Sequence, residues 1–360
     1  MKNRWLVVIL FCSAVLSCSS RHAASASEQT GKTSPGLDKV ISWLPADTET
    51  ISVANGPFEL KAVPSQSENR DRAISDMELA QIFEALPLEL LQFRKNALAR
   101  HFEGKRIALA VEGARHFHSP SGLGEGLFEG CAIAVFVDNI RDVVDSFAKE
   151  NRKDALRVEQ IEGREVLAFQ EKLEEDLWTT YVAFPSEHVA VIATDRAYLT
   201  EVLARRNGHK GPTALPKDLP EWKYVNISSR FWGVRHYNKN QAGCDRYQPQ
   251  CDPSSPFGGR KAANYPDEQA IGLTFEFDPS QGRTAKVTYL SGDPNILAKI
   301  NTTTRGPLGM GDDPEAKDLA IRSREVVPGI VEGSYSLTQL RAVDLFVFVL
   351  MGRLGHPIYL

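Results

Sequence analysis

The chain has 360 residues, 42% of them hydrophobic and 24% charged, with a formal net charge of −4. That composition belongs to a globular protein with a real core. The slightly acidic balance supplies no basic field for nucleic acid or acidic lipid, so both partner classes are set aside.

The first four residues, Met1-Lys2-Asn3-Arg4, are basic, and an apolar run extends from Trp5 to Leu16. A basic start followed by about a dozen apolar residues predicts a secretory signal over residues 1–18. The run is too short for a membrane span, which takes roughly 20 residues. Val15-Leu16-Ser17-Cys18 resembles the bacterial lipobox, in which the cysteine thiol is lipidated and becomes the new N-terminus. Ordinary cleavage after Ala24-Ser25-Ala26 is the alternative. The expectation is an exported protein of the cell envelope, held at a membrane through Cys18 and facing the periplasm. Ser19, next to the lipidated cysteine, points to the outer membrane. Residues 19–36 are rich in Ser and Ala and read as a flexible tether.

Ser75-Asp76-Met77-Glu78 is a capping box, and Leu79, Ile82, Phe83 and Leu86 follow at helical spacing. Pro87 interrupts and can start a second helix carrying Leu88, Leu91 and Leu98. Ile107, Leu109 and Val111 alternate, as do Ile133, Val135 and Val137, which predicts two half-buried strands. Arg157–Phe169 reads as a hairpin turning at Glu162-Gly163, and Leu177–Phe184 with His188–Ala193 as another. One unit recurs, a strand running into Asn139, Asp195 or Asp293 and then an amphipathic helix. A strand is also predicted at Trp222–Ser228, a hairpin at Gln269–Phe277 and Arg283–Ser291, a strand over Val326–Tyr335 and a helix at Leu345–Met351.

These elements predict an α+β fold: antiparallel sheets with helices packed on one face, in two loosely repeated subdomains. The expected boundaries are 37–212 and 213–360, with a long polar loop at 238–267 in the second.

Leu44-Pro45-Ala46-Asp47-Thr48, placed before the first strand, together with the strand-plus-helix layout, resembles a group of large uncharacterised exported bacterial proteins with two loosely repeated α+β halves. The resemblance implies an architecture and a compartment, and it brings no catalytic residues.

An oxidising compartment would let Cys244 and Cys251 pair as a local staple within the polar loop. Two exposed thiols, or half of a metal site, are the alternatives. Cys131 opens an apolar strand and reads as a buried small hydrophobe. His116 and His118, at i and i+2 before a glycine-rich loop, could share a metal, with Glu125 or Glu129 adding a carboxylate. A solvated loop is the plainer reading. Asp312, Asp313, Glu315 and Asp318 read as a solvated acidic turn, with calcium as the alternative. Trp222, Tyr224, Phe231, Trp232, His236 and Tyr237 are either strand core or a stacking groove. Ser146-Phe147-Ala148-Lys149 spells S-x-x-K at the end of a helix, where a catalytic Ser of that type is not served.

No hydrolase elbow, zinc-protease motif or P-loop is present in the sequence. The function expected is therefore a non-enzymatic binding or scaffold module of the envelope, with no cofactor and an envelope protein as partner. An exported hydrolase with dispersed catalytic residues and a periplasmic metal-binding protein are the alternatives.

Overall fold

Apolar residues of both parities along the central strands decide the architecture. The fold is taken from a computed structural model that describes residues 36–60, 71–88, 101–115, 129–150, 156–173, 176–237, 269–303, 306–308 and 321–354. In β1 (Thr50–Glu59) the side chains of Ile51 and Val53 join one buried cluster and those of Ala54 and Phe58 another. In β3 (Glu129–Phe136) Cys131, Ile133 and Val135 belong to the former cluster, and Ala132, Ala134 and Phe136 to the latter. Successive side chains of a strand point to opposite faces. The two clusters are therefore the two faces of one sheet.

The other strands are β2 (Arg106–Arg115), β4 (Leu156–Ile161), β5 (Arg164–Leu173), β6 (Asp176–Ser186), β7 (Val189–Ala193), β8 (Phe231–His236), β9 (Ala270–Phe277), β10 (Thr284–Ser291), β11 (Ile321–Val327) and β12 (Ile330–Ser336). All pair antiparallel in a single 12-stranded sheet, ordered β11-β12-β10-β9-β8-β1-β2-β3-β7-β6-β5-β4. Counted outward from the β1–β8 pair, one side runs β1, β2, β3, β7, β6, β5, β4 and the other β8, β9, β10, β12, β11.

Helices cover both faces, which corrects the expected one-sided packing. Tyr198, Leu199, Val202 and Leu203 of α4 (Arg196–Arg206) are buried in the cluster of Ile51, as are Val40 and Ile41 of α1 (Leu37–Ile41). The opposite face takes Leu79 and Phe83 of α2 (Asp76–Ala85), Val143 of α3 (Arg141–Glu150), Ile296 and Ile300 of α5 (Ile296–Thr303), and Phe346, Leu350 and Leu354 of α6 (Leu340–Leu354). The physical reason is that every residue from Gly130 to Phe136, and every residue of β7, is buried. A strand buried on both sides needs cover on both sides. α6 holds the apolar segment expected at Leu345–Met351, and no helix among the described residues is long and apolar enough to cross a membrane.

The strand–cap–helix units are present. Asn139 Oδ1 accepts from Arg141 N, Asp195 Oδ1 from Tyr198 N and Asp293 Oδ1 from Asn295 N, each at 2.8 Å. The capping box is also formed, with Glu78 N donating to Ser75 Oγ at 3.2 Å and Ser75 N to Glu78 Oε2 at 2.9 Å. The β4–β5 turn sits at Glu162 (φ 52°) and Gly163 (φ 71°), as Glu-Gly predicted.

Two strand expectations are corrected. Trp222–Ser228 is not a strand: Pro220–Lys223 forms a 3-10 turn, Trp222 Nε1 donates to the carbonyl of Leu215, and the strand starts at Phe231. Pro220 at the first helical position favours that turn. Val326–Tyr335 is two strands, because Pro328 lacks an amide for the ladder and Gly329 (φ 87°) turns the chain. The second helix expected from Leu88 through Leu98 lies mostly outside the described residues, with Leu86–Leu88 forming a 3-10 turn.

Glu78 also accepts from Arg72 at 2.8 Å, and that bond, followed by those from Ser75, lowers its carboxyl from 4.5 to about 2. A depressed folded-state pKa contributes stability above the ordinary value and loses it as pH falls toward the folded value. In urea unfolding, Ser75→Ala is expected to lose about 1 kcal/mol at neutral pH. The Glu78→Gln deficit should be present at neutral pH and fade between about pH 4.5 and pH 2.

Candidate functional site

Thr50, the first residue of β1, lies between Ala114 of β2 and Arg235 of β8. The chain leaves the sheet one residue later on each side, after Arg115 and after His236, and re-enters at Glu129 and Ala270. Two strand spacings separate these exits, roughly 10 Å. Each exit carries a basic side chain hydrogen-bonded to a carboxylate, and both contacts lie on the face covered by α1 and α4.

On the β2 side Arg115 is the node. Its guanidinium reaches Glu129 Oε2 at 2.5 Å, Asp47 Oδ2 at 2.9 Å and Glu201 Oε1 at 3.0 Å, and its side chain is only 13% exposed. It also lies over the ring of Tyr198, 5.2 Å from the centroid, and Tyr198 is hydrogen-bonded to Thr48 at 2.8 Å. One cation thus ties together the segment before β1, the ends of β2 and β3, and α4. Burial opposes the charge on Arg115, but the hydrogen bonds to Asp47 and Glu129 outweigh it and raise its pKa. Burial raises Glu129 above the usual carboxylate range, and the bond from Arg115 offsets this only in part. Gly113 keeps the contact close, because a Cβ there would meet the Tyr198 hydroxyl and Leu44.

On the β8 side Glu221, in the Pro220–Lys223 turn, is fully buried, and its Oε1 lies 2.7 Å from His236 Nδ1. Among the described residues its Oε2 has no hydrogen-bond partner. The His236 side chain is 32% exposed, so a buried carboxylate orients an imidazole whose edge reaches solvent. Gly272 of β9 makes room for Glu221, since a Cβ there would overlap the carboxylate. A carboxylate-oriented imidazole can move a proton or serve as a ligand.

Several sequence-flagged residues lie outside the described residues: Cys18; His116 and His118; Cys244 and Cys251; and the acidic run Asp312, Asp313, Glu315 and Asp318. The structure places the anchors of the histidine and cysteine segments at the same end of the sheet. Glu129, offered as a metal carboxylate, is engaged by Arg115. Among the described residues no three His, Cys, Asp or Glu side chains are grouped as metal ligands. Cys131 is fully buried, and its thiol is raised by burial. Phe231 and Trp232 are core residues on opposite faces, with Trp222 edge-on to Trp232 at 6.0 Å, so this pair forms no stacking groove. Ser146 is exposed within α3.

Sequence reasoning missed Glu221 and Arg115. A glutamate in Pro220-Glu221-Trp222-Lys223 looks solvated, and only Gly272, about fifty residues later in the chain, explains why it is not.

No family model matches this chain, and neither a curated protein nor a solved structure matches it.

Two substitutions test these contacts by urea unfolding. Gly272→Ala should destabilise by about 1–3 kcal/mol through overpacking. Arg115→Met should lose about 3 kcal/mol at neutral pH, because it leaves Glu129 buried without its cation. A carboxyl raised in the folded state binds its proton more tightly there, so acidification favours folding. The Arg115→Met deficit should therefore shrink as pH falls toward the carboxylate range.

Proposed function

We propose that this chain is an exported envelope protein, tethered to a membrane by a lipid on Cys18, that works as a non-enzymatic binding or scaffold module. The observation that carries the reading is that β2 and β8 end at the same end of the sheet, on either side of β1, where the chain leaves toward residues 116–128 and 238–268. Binding segments set on a rigid scaffold are a recurrent arrangement. Here the scaffold is one continuous sheet, and the Arg115 node fixes the base of the first segment. The partner is another envelope protein, and Cys244 and Cys251 staple the second segment by a disulfide. Outward from β1 and β8 the first five strands of each side share one pattern, three in chain order and then two in reverse, which supports descent of the two halves from one unit; β5 and β4 extend the first side.

A second reading is favoured by one observation, the buried Glu221 against His236. An exported hydrolase could use His236 as its general base, oriented by that carboxylate.

Native mass spectrometry of the full-length protein, gently extracted from its own cells, tests the first reading. The expected result is a lipid-sized mass on Cys18 with co-purifying protein chains, and Cys18→Ser should move the protein to the soluble fraction. An unlipidated chain starting near Ser27, with no protein bound, would overturn it. Turnover of ester, peptide or glycoside substrates that His236→Gln abolishes would establish the hydrolase instead.

A further inference from the structure

At the far end of α4 the charge balance reverses. Arg164, the first residue of β5, and Arg206, the last of α4, both donate to the carbonyl of Pro185 at the end of β6, just before the β6–β7 turn, at 3.2 and 2.9 Å. Nitrogens sharing one acceptor at those distances are at most about 6 Å apart. The other contacts are neutral as well: Arg164 donates to Asn207 Oδ1 at 3.2 Å, and Arg206 lies over the Trp43 ring at 5.6 Å. Neither guanidinium has an ion-pair partner among the described residues, and both Nε atoms are buried without a hydrogen bond. The acid of the adjoining β6–β7 turn, Glu187, is engaged by Arg141 and Asn139.

The last turn of a helix favours one cation through its dipole. It gives no reason for a second. Two like charges half out of water repel, and burial together with Arg164 lowers the pKa of Arg206. Such a pair asks for a counter-charge that the described protein does not supply.

We infer that Arg164 and Arg206 form a binding site for a phosphate-type oxyanion, free or as a phosphomonoester. Two guanidinium forks offer two positive charges and several directed donors, which suits a tetrahedral dianion better than a single carboxylate. An open groove of about 670 Å³ runs beside the pair and shares Asn207 with it; Lys210 and Glu162 line it, together with Arg205, whose Nη1 donates to the carbonyl of Pro212, and Glu201, which Arg115 engages.

Thermal unfolding of the whole chain in inorganic phosphate, against chloride at equal ionic strength, tests the site. Phosphate should raise Tm by about 2 °C in a saturable way. The double variant Arg164→Gln/Arg206→Gln should lose the rise, and Arg196→Gln, whose partner is Glu159, should keep it. Equal Tm in both salts, or a rise kept by the double variant, would overturn the inference. If the double variant does not fold, Arg164→Lys retains the charge without the fork and should weaken phosphate binding about tenfold in calorimetry; unchanged affinity overturns the site. Binding to vesicles of phosphatidic acid, but not phosphatidylcholine, and displaced by free phosphate, would identify a lipid headgroup as the source. Binding of phosphate in solution without vesicle binding would identify a free anion.

Discussion

The pairing of β1 with β8 is the constraint on which the rest of the structure depends. Five residues on each strand register against one another, from Thr50 with Arg235 to Ala54 with Phe231, and they join what would otherwise be two smaller sheets. Both cores cross this seam. Ile51 and Val53 share a cluster with Trp232 and Val234, and Ala54 shares the other with Phe231 and Leu273. Separating the halves would expose two unpaired strand edges and divide both clusters, so residues on either side of position 212 share one sheet and its cores. The same seam brings the exits after Arg115 and His236 within roughly 10 Å.

What the sequence revealed follows from the range of the interactions involved. Local signals are legible where the physics is local: the Ser75–Glu78 box, the Glu162-Gly163 turn, and the caps at Asn139, Asp195 and Asp293 each act over two or three residues. Periodicity is a weaker guide in β3, where Ile133 and Val135 alternate on one face but Ala132, Ala134 and Phe136 are buried on the other. Small apolar residues carry weak period-two contrast, and that contrast was the only local sign that both faces are covered. A single sheet instead of several depended on strand pairings far apart in the chain, which no local pattern encodes.

The candidate site was the least legible part, because its partners are distant in sequence and ordinary in type. Arg115 meets Asp47, Glu129 and Glu201 only after the sheet has formed and α4 has folded back over it. Glu221 is buried because a glycine on β9 leaves a space of its size. His236 stood out only as one member of an aromatic segment, and its partner is fifteen residues away in a turn.

α4 links the two polar regions and shows how burial fixes charge in this fold. Its first turns contribute Tyr198 and Glu201 to a cluster in which one arginine faces three carboxylates, and its last turn contributes Arg206 to a pair facing none among the described residues. Between them Leu199, Val202 and Leu203 are fully buried, so the helix cannot shift to even out the imbalance without giving up packing. Glu201 and Arg206 are five residues apart on the helix, roughly 8 Å of rise, but the Glu201 carboxylate is engaged by Arg115. The acid on this helix is therefore committed to one cluster, and the base at its end must be balanced locally. At Arg115 that balance is internal to the protein, and at Arg164 and Arg206 it falls to whatever binds there.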